Sequence, residues 1–147
     1  MKQILIAAVL AAYWQSEAAE PVWLTDLPIA EARARAENKL VLVDFTGSDW
    51  CPGCVELGKK VFESSRFGKY AATNLVLVTV DFPEKHPQSR DLKKANAALQ
   101  EQFKVEGYPT LVVLNKDGHE LGREEGYAGE GPKEIIAALE KFKTGKQ

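Results

Sequence analysis

Two short stretches of the chain are almost continuously apolar, Leu40-Val41-Leu42-Val43-Asp44-Phe45 and Leu75-Val76-Leu77-Val78-Thr79-Val80. A strand with one wet face alternates apolar and polar residues, so unbroken runs of this length predict strands covered on both faces, as in a parallel sheet. Between them the pattern turns helical, from the cysteines to about Lys60 and, more weakly because Gly68 interrupts it, from Ser64 to Ala72. Strand, helix, strand is the parallel crossover unit. Upstream, Asp26 is placed to cap a helix with proline in its first turn and an alanine-rich, charge-laced body reaching about Lys39. Downstream, Asp81 to Arg90 holds Pro83, Pro87 and no apolar period, which predicts a loop; Leu92 to Phe103 follows as a helix with Ala95, Leu99 and Phe103 along one side. Thr110 to Leu114 and Glu120 to Tyr127 then flank Asn115-Lys116-Asp117-Gly118, whose Asp-Gly pair signals a hairpin. Pro132 opens a last helix with Ile135, Ile136, Leu139 and Phe142 on one face. The order predicts one α/β domain, a central mixed sheet of parallel strands with a C-terminal antiparallel hairpin and flanking helices. Phe45, Phe62, Phe67 and Phe103 read as core.

The first residues have a different character. Met1 and Lys2 form a short positive region, Ile4 to Ala12 an apolar run, and Ser16-Glu17-Ala18 presents small residues where a signal peptidase reads. The run is well short of the roughly 20 residues that cross a bilayer. A signal peptide over residues 1–18 and a mature domain over 19–147 are expected, with no membrane insertion after cleavage and a periplasmic or secreted location. With 147 residues, 45% of them hydrophobic, the chain buries one ordinary core without covalent staples. A net charge of -2, with both signs interspersed, excludes a basic face for nucleic acid.

Against that background the two cysteines, Cys51 and Cys54 in V-D-F-T-G-S-D-W-C-P-G-C, need an explanation other than scaffolding. Three residues apart at a helix start, they stand on one face, close enough to bridge. The unpaired amides of the helix terminus stabilise a thiolate on the first cysteine, which makes Cys51 the expected nucleophile; Cys54, one turn inside and expected to be more buried, is the resolving thiol. Structural zinc would need two further ligands, and only His86 and His119 remain, in a loop and a turn. A permanent disulfide closing so small a ring would add little stability. Two thiols serving only as packing are disfavoured by their place at a strand-to-helix junction, where α/β sites form.

Together with V-E-G-Y-P-T some fifty residues later, this motif resembles the thioredoxin superfamily, and F-T-G-S-D-W-C is similar to its secreted bacterial thioredoxin-like branch, over a stretch from about Trp23 to the C-terminus. The resemblance implies a thioredoxin-like fold and thiol-disulfide exchange with cysteines of extracytoplasmic proteins and with a redox partner, by a monomer without cofactor or metal. It implies that Pro109 is the cis proline facing the cysteine pair and that Tyr108 offers backbone to a substrate; an ordinary trans proline is the alternative. Asp44 matches the family's buried acid. Burial on an apolar strand would raise its pKa and let it exchange a proton with Cys54, whereas at a solvated strand end it would do neither. One residue more than in ordinary thioredoxin separates Asp44 from Cys51, and the next strand, Leu75 to Val80, has no lysine to accompany the acid. Trp50 and Pro52, either side of the nucleophile, are candidates for the substrate surface, with packing the alternative for Trp50. Two other functions compete, a Cu(I) metallochaperone using the same pair and a binding module that keeps the fold.

Overall fold

The computed structural model describes residues 20–145; the expected signal peptide lies outside the described residues. The chain enters through β1 (Trp23–Leu24) and continues through α1 (Leu27–Glu37), β2 (Leu40–Thr46), α2 (Pro52–Leu57) with a π-helical turn over Gly58–Phe62, α3 (Ser65–Asn74), β3 (Leu75–Asp81), α4 (Arg90–Gln102), β4 (Thr110–Leu114), β5 (Glu120–Glu125) and α5 (Pro132–Thr144). The five strands form one sheet in the order β1-β3-β2-β4-β5. β1 and β2 both run parallel to β3, while β4 runs antiparallel to β2 and to β5. The mixed α/β sheet expected from the apolar runs and the Asp-Gly turn is therefore present.

The Asp26 cap acts as expected, and Ser64 and Ser89 cap two further helices. Asp26 accepts the Ile29 N–H, Ser64 the Phe67 N–H and Ser89 the Leu92 N–H, each satisfying a donor that the first turn leaves free. Asn38 closes α1 in the left-handed conformation. α3 runs unbroken through the buried Gly68.

Successive residues of a strand point to opposite faces, and this divides the core in two. Val41, Val43 and Phe45 of β2 pack with Val76, Val78 and Val80 under α1 and beside Phe103. Leu42 packs on the other face with Leu57, Val61, Phe67, Ile135 and Leu139, beneath α2, α3 and α5. Two residues beyond Leu42, Asp44 points to the α2 side of the sheet.

Four expectations change. β1 adds an edge strand that the pattern did not signal, and its two residues are held through backbone pairing to Leu77 and Val78. The helix after the cysteines changes register at Gly58, where five residues adopt π geometry. The last strand ends at Glu125 instead of Tyr127. On α4, Ala95 is exposed and Asn96 is the buried residue, its Nδ2 donating to the Asp81 carbonyl at 2.9 Å.

Candidate active site

The site stands where β2 passes into α2. Cys51 is the N-cap: its backbone is extended, its N–H donates to the Gly47 carbonyl at 2.9 Å, and its Sγ accepts the Cys54 N–H at 3.3 Å. Its sulfur therefore sits where the free donors of the helix point. Cys51 and Cys54 form a disulfide with their Cα atoms 5.2 Å apart. The expectation that Cys54 is the more buried member is corrected, and Cys54 has a backbone donor of its own. The two residues are 6% and 7% exposed, and the Gly47 N–H reaches Cys54 Sγ at 3.5 Å. Each sulfur has one backbone donor, so the difference between them lies in place along the helix, not in access.

Three side chains fix the Gly47–Trp50 turn that presents Cys51. Asp81 accepts from the Ser48 N–H at 3.0 Å and from its hydroxyl at 2.5 Å. Asp49 accepts the N–H groups of Glu84, Lys85 and His86 at 2.8–2.9 Å, with His86 Nδ1 at 2.9 Å. The Glu84 amide above all, then those of His86 and Lys85, holds the Asp49 carboxyl far below the usual carboxylate range. Trp50 donates its indole N–H to the Phe82 carbonyl at 2.7 Å. The ring lies so close over Gly47 that a Cβ there would come within 2.5 Å of it, which is why a glycine stands at that position.

Asp44 is buried, not solvated at a strand end, and its Oδ1 has no hydrogen-bond partner among the described residues. Burial pushes its carboxyl up to about 7, and the nearby Asp81 carboxylate adds to the rise. β3 reaches one residue further than the apolar run, and the group it brings there is a second acid instead of the lysine whose absence the sequence shows.

The second motif closes the site. The Tyr108–Pro109 bond is cis. Pro109 Cδ lies 3.6 Å from where a Cβ on Gly53 would be, so the ring abuts the C-P-G-C turn. Cys51 Sγ is 3.7 Å from the Tyr108 carbonyl oxygen; the disulfide has no S–H, so this is a contact. The Pro109 carbonyl accepts the Gly126 N–H at 2.8 Å and Thr110 Oγ1 donates to the Gly107 carbonyl at 2.7 Å, tying the segment to its own hairpin. Trp50 meets the Tyr108 ring edge-on at 5.9 Å, and Tyr108 stacks on Phe82 at 5.1 Å. Trp50, 38% exposed, thus both packs and faces solvent beside Cys51; Pro52, the first residue of α2, is exposed.

Cys51, Cys54, Pro52, Trp50, Tyr108 and Pro109 are brought together, with Asp44 on the sheet face that α2 covers. The sequence reading missed Gly47, Asp49, Asp81 and Phe82. An acidic residue inside F-T-G-S-D-W stands in view, but its partners lie 35 to 37 residues further on and nothing local points to them. Among the described residues, no group of three or more His, Cys, Asp and Glu side chains is placed to hold a metal ion.

Residues 27–143 match the model of the thioredoxin-like domain family. The chain is 37% identical over 90 residues to the disulfide bond reductase DsbH of Chlamydia pneumoniae, across 61% of this chain and 54% of that protein. It is 31% identical over 102 residues to the thioredoxin-related protein DsbJ of the same organism, across 69% of this chain and 29% of DsbJ. The chain thus spans about half or less of the length of these curated relatives. Among solved structures, a DsbH oxidoreductase superposes with a TM-score of 0.77 at 28% identity, covering 97% of this chain and 93% of that one. A thioredoxin from Thermus thermophilus, at 24% identity, shares the fold with a TM-score of 0.62 over 83% of this chain and 86% of its own. Fold, paired motifs and family match agree, and the chain belongs to the thioredoxin-like domain family.

Proposed function

We propose that this chain is an extracytoplasmic thiol-disulfide oxidoreductase that exchanges disulfides with cysteines of other proteins, as a single chain and without a cofactor. The observation that carries this reading is the Cys51–Cys54 disulfide at the start of α2, flanked by the cis Tyr108–Pro109 bond. The DsbH relative is a disulfide bond reductase, which favours the reducing direction. Residues 1–18 serve as a cleaved signal, and no helix among the described residues is long and apolar enough to cross a membrane.

In the reducing direction the Cys51 thiolate attacks one sulfur of a substrate disulfide, and the other sulfur leaves as a thiolate that takes a proton. Cys54 then gives up its proton, attacks Cys51 Sγ and releases the second substrate thiol. Two electrons have passed to the substrate, and the protein holds its own disulfide. A second dithiol protein restores it. Asp44 is the proton acceptor for Cys54: with a carboxyl titrating near 7, it is divided between its two forms at neutral pH, as an acid-base group in both directions must be. The backbone beside Pro109 pairs with the extended substrate, and the exposed Trp50, next to Cys51 in the chain, offers it an aromatic surface.

Insulin reduction with a chemical dithiol as electron source tests the reading. Cys51→Ser is expected to abolish turnover, and Cys54→Ser to accumulate mixed disulfides through Cys51. Full turnover by Cys51→Ser, or faster alkylation of Cys54 than of Cys51 in the reduced protein, would assign the roles differently.

A further inference from the structure

We propose that the groove running from Pro52 along the outer side of α2 binds an acidic segment of the substrate protein, beside the cysteine that Cys51 attacks. This rests on the exchange reading above and adds the chemistry of the substrate to it.

The groove has a volume of about 580 Å³ and begins at Trp50 and Pro52, immediately next to the nucleophile. Val55 gives it an apolar floor, and Lys59, Lys60 and Lys85 line it. The lysines come from two elements, α2 with its π turn and the loop after β3, and the Asp49 hydrogen bonds hold that loop against the turn before Cys51. Lys60 is occupied in part, donating to the Gly129 carbonyl. Neither Lys59 nor Lys85 forms an ion pair among the described residues.

Two acids, Asp49 and Glu56, also line the groove, and the three lysines leave it with one net positive charge. The Asp49 side chain is only 5% exposed and its carboxylate is spent on backbone amides. Glu56 reaches towards the Gly129 loop, within 3.8 Å of where a Cβ on Gly129 would lie, on the side that Lys60 also faces. A chain of net charge -2 therefore carries two free lysines at the edge of its reactive disulfide. On the other side of the site, beyond Tyr127, a second depression is lined by Glu124, Glu125, Glu130 and Glu134. Opposite charge on the two flanks orients a substrate segment: acidic residues are drawn over α2 and kept from the β5 side. The π turn contributes to the arrangement, because it changes the register of the helix just where Lys59 and Lys60 leave it.

The test compares disulfide-linked peptides that are identical except for two flanking residues, Asp-Asp, Gln-Gln or Lys-Lys, placed before or after the cysteine. Hydroxyethyl disulfide, too small to reach the groove, serves as reference. The wild-type protein is expected to favour the Asp-Asp peptide over the Lys-Lys peptide about tenfold in kcat/KM in one of the two placements, with the preference shrinking at high salt. Lys59→Glu with Lys85→Glu should reverse the order, and Lys59→Gln with Lys85→Gln should flatten it. Both double variants should leave hydroxyethyl disulfide turnover unchanged. A second measurement does not depend on turnover: amide shifts of the oxidised protein titrated with a cysteine-free acidic peptide should move at residues 55–60 and 85. Equal kcat/KM for all peptides, or shifts at the β5 side instead, would overturn the groove assignment. Loss of hydroxyethyl disulfide turnover in the wild-type protein would count against the exchange reading itself, and the amide shifts would still decide the groove.

Discussion

Asp44 and Asp49 stand five residues apart at the end of β2 and in the turn that follows, both with little exposed side chain, and they are driven in opposite directions. Asp49 meets three backbone N–H groups and an imidazole, and its carboxyl is held far below the usual range. Asp44 meets apolar neighbours and a second carboxylate, leaves Oδ1 without a partner, and is pushed up to about 7. Burial alone does not decide the charge of a carboxylate; the donors that replace water do. Asp49 is thereby a fixed anchor, always ionised, and Asp44 a carboxyl that titrates near neutral pH, which the proposed exchange uses as its proton carrier. A site that needs a rigid entry to its nucleophile and a titrating group beneath it obtains both from one short segment, because the two side chains leave the backbone towards different surroundings.

Asp44→Asn should give the largest effect. The folded value near 7 lies above the ordinary 3.8, so between those values the native state keeps a proton that the unfolded chain has lost. The Asp44 contribution to stability therefore falls as pH rises from about 4 to about 7, and the penalty is complete above 7. Three units correspond to an upper bound on the order of 4 kcal/mol. The variant should be more stable than the parent at pH 8 by a few kcal/mol and nearly equal to it at pH 4. Urea unfolding of both proteins at pH 4, 6 and 8 measures the difference. The same variant should slow release of a mixed disulfide near neutral pH, and an equal release rate at all pH values would leave Asp44 with a structural role only.

Asp49→Ala addresses the other half of the contrast. Its carboxylate gathers the amides of residues 84, 85 and 86, and alanine offers them no acceptor. Hydrogen exchange at these amides should speed up by about tenfold or more, while the core amides of β2 and β3 change much less. Because the anchor requires the ionised form, the difference from wild type should persist at pH 5 and 7 and fade only in strong acid, as the depressed folded value is approached. Unchanged exchange at residues 84–86 would show that the loop is held by other means.

The contrast also marks where sequence reading stops. β2, β3 and the cap at Asp26 were legible because their causes are local: a run of apolar residues, or a short polar side chain three residues before the amide it satisfies. The cysteine pair and Pro109 were legible as motifs. Asp49 was not, since nothing near it in the chain says that the amides of 84–86 will be its partners. Asn96 was hidden by its polarity; the periodic pattern passed to the exposed Ala95 one position before it. β1 has two residues and no period to read, and the π turn at Gly58 carried no local signal. For Asp49, Asn96 and β1 the deciding interaction joins elements distant in sequence. Asp81 is the instructive intermediate, because a strand ending at Val80 has no acid, whereas one more residue of pairing to Thr46 adds the carboxylate that acts on Asp44.

Asp81→Asn should accordingly lower the titration of Asp44 from its value near 7, by removing the like charge while keeping a carbonyl to accept from Ser48. Carbon-13 titration of the Asp44 carboxyl reads this directly, and the pH profile of mixed-disulfide release should move to lower pH with it. Burial is the larger cause of the rise, so the carboxyl should remain above the ordinary aspartate value. A titration that does not move would mean that Asp81 acts only as the Ser48 anchor.

The smallest effect is expected at His86→Ala. Its Nδ1 lies 2.9 Å from Asp49 Oδ2, the shape of an ion pair, yet the side chain is 75% exposed and the geometry alone overstates its part. Exposed pairs add little, since water competes for both groups and a mobile side chain loses freedom on pairing. The backbone N–H of residue 86 does not depend on the imidazole and still donates to the same oxygen at 2.8 Å. The variant should therefore keep the 84–86 loop in place: hydrogen exchange there should rise less than about twofold, and insulin reduction should match the parent across the pH range. Exchange as fast as in Asp49→Ala would transfer the anchoring from the three amides to the ring. A result near the parent instead separates the two kinds of partner that Asp49 has, the peptide donors fixed by the chain and the side chain that merely lies within reach.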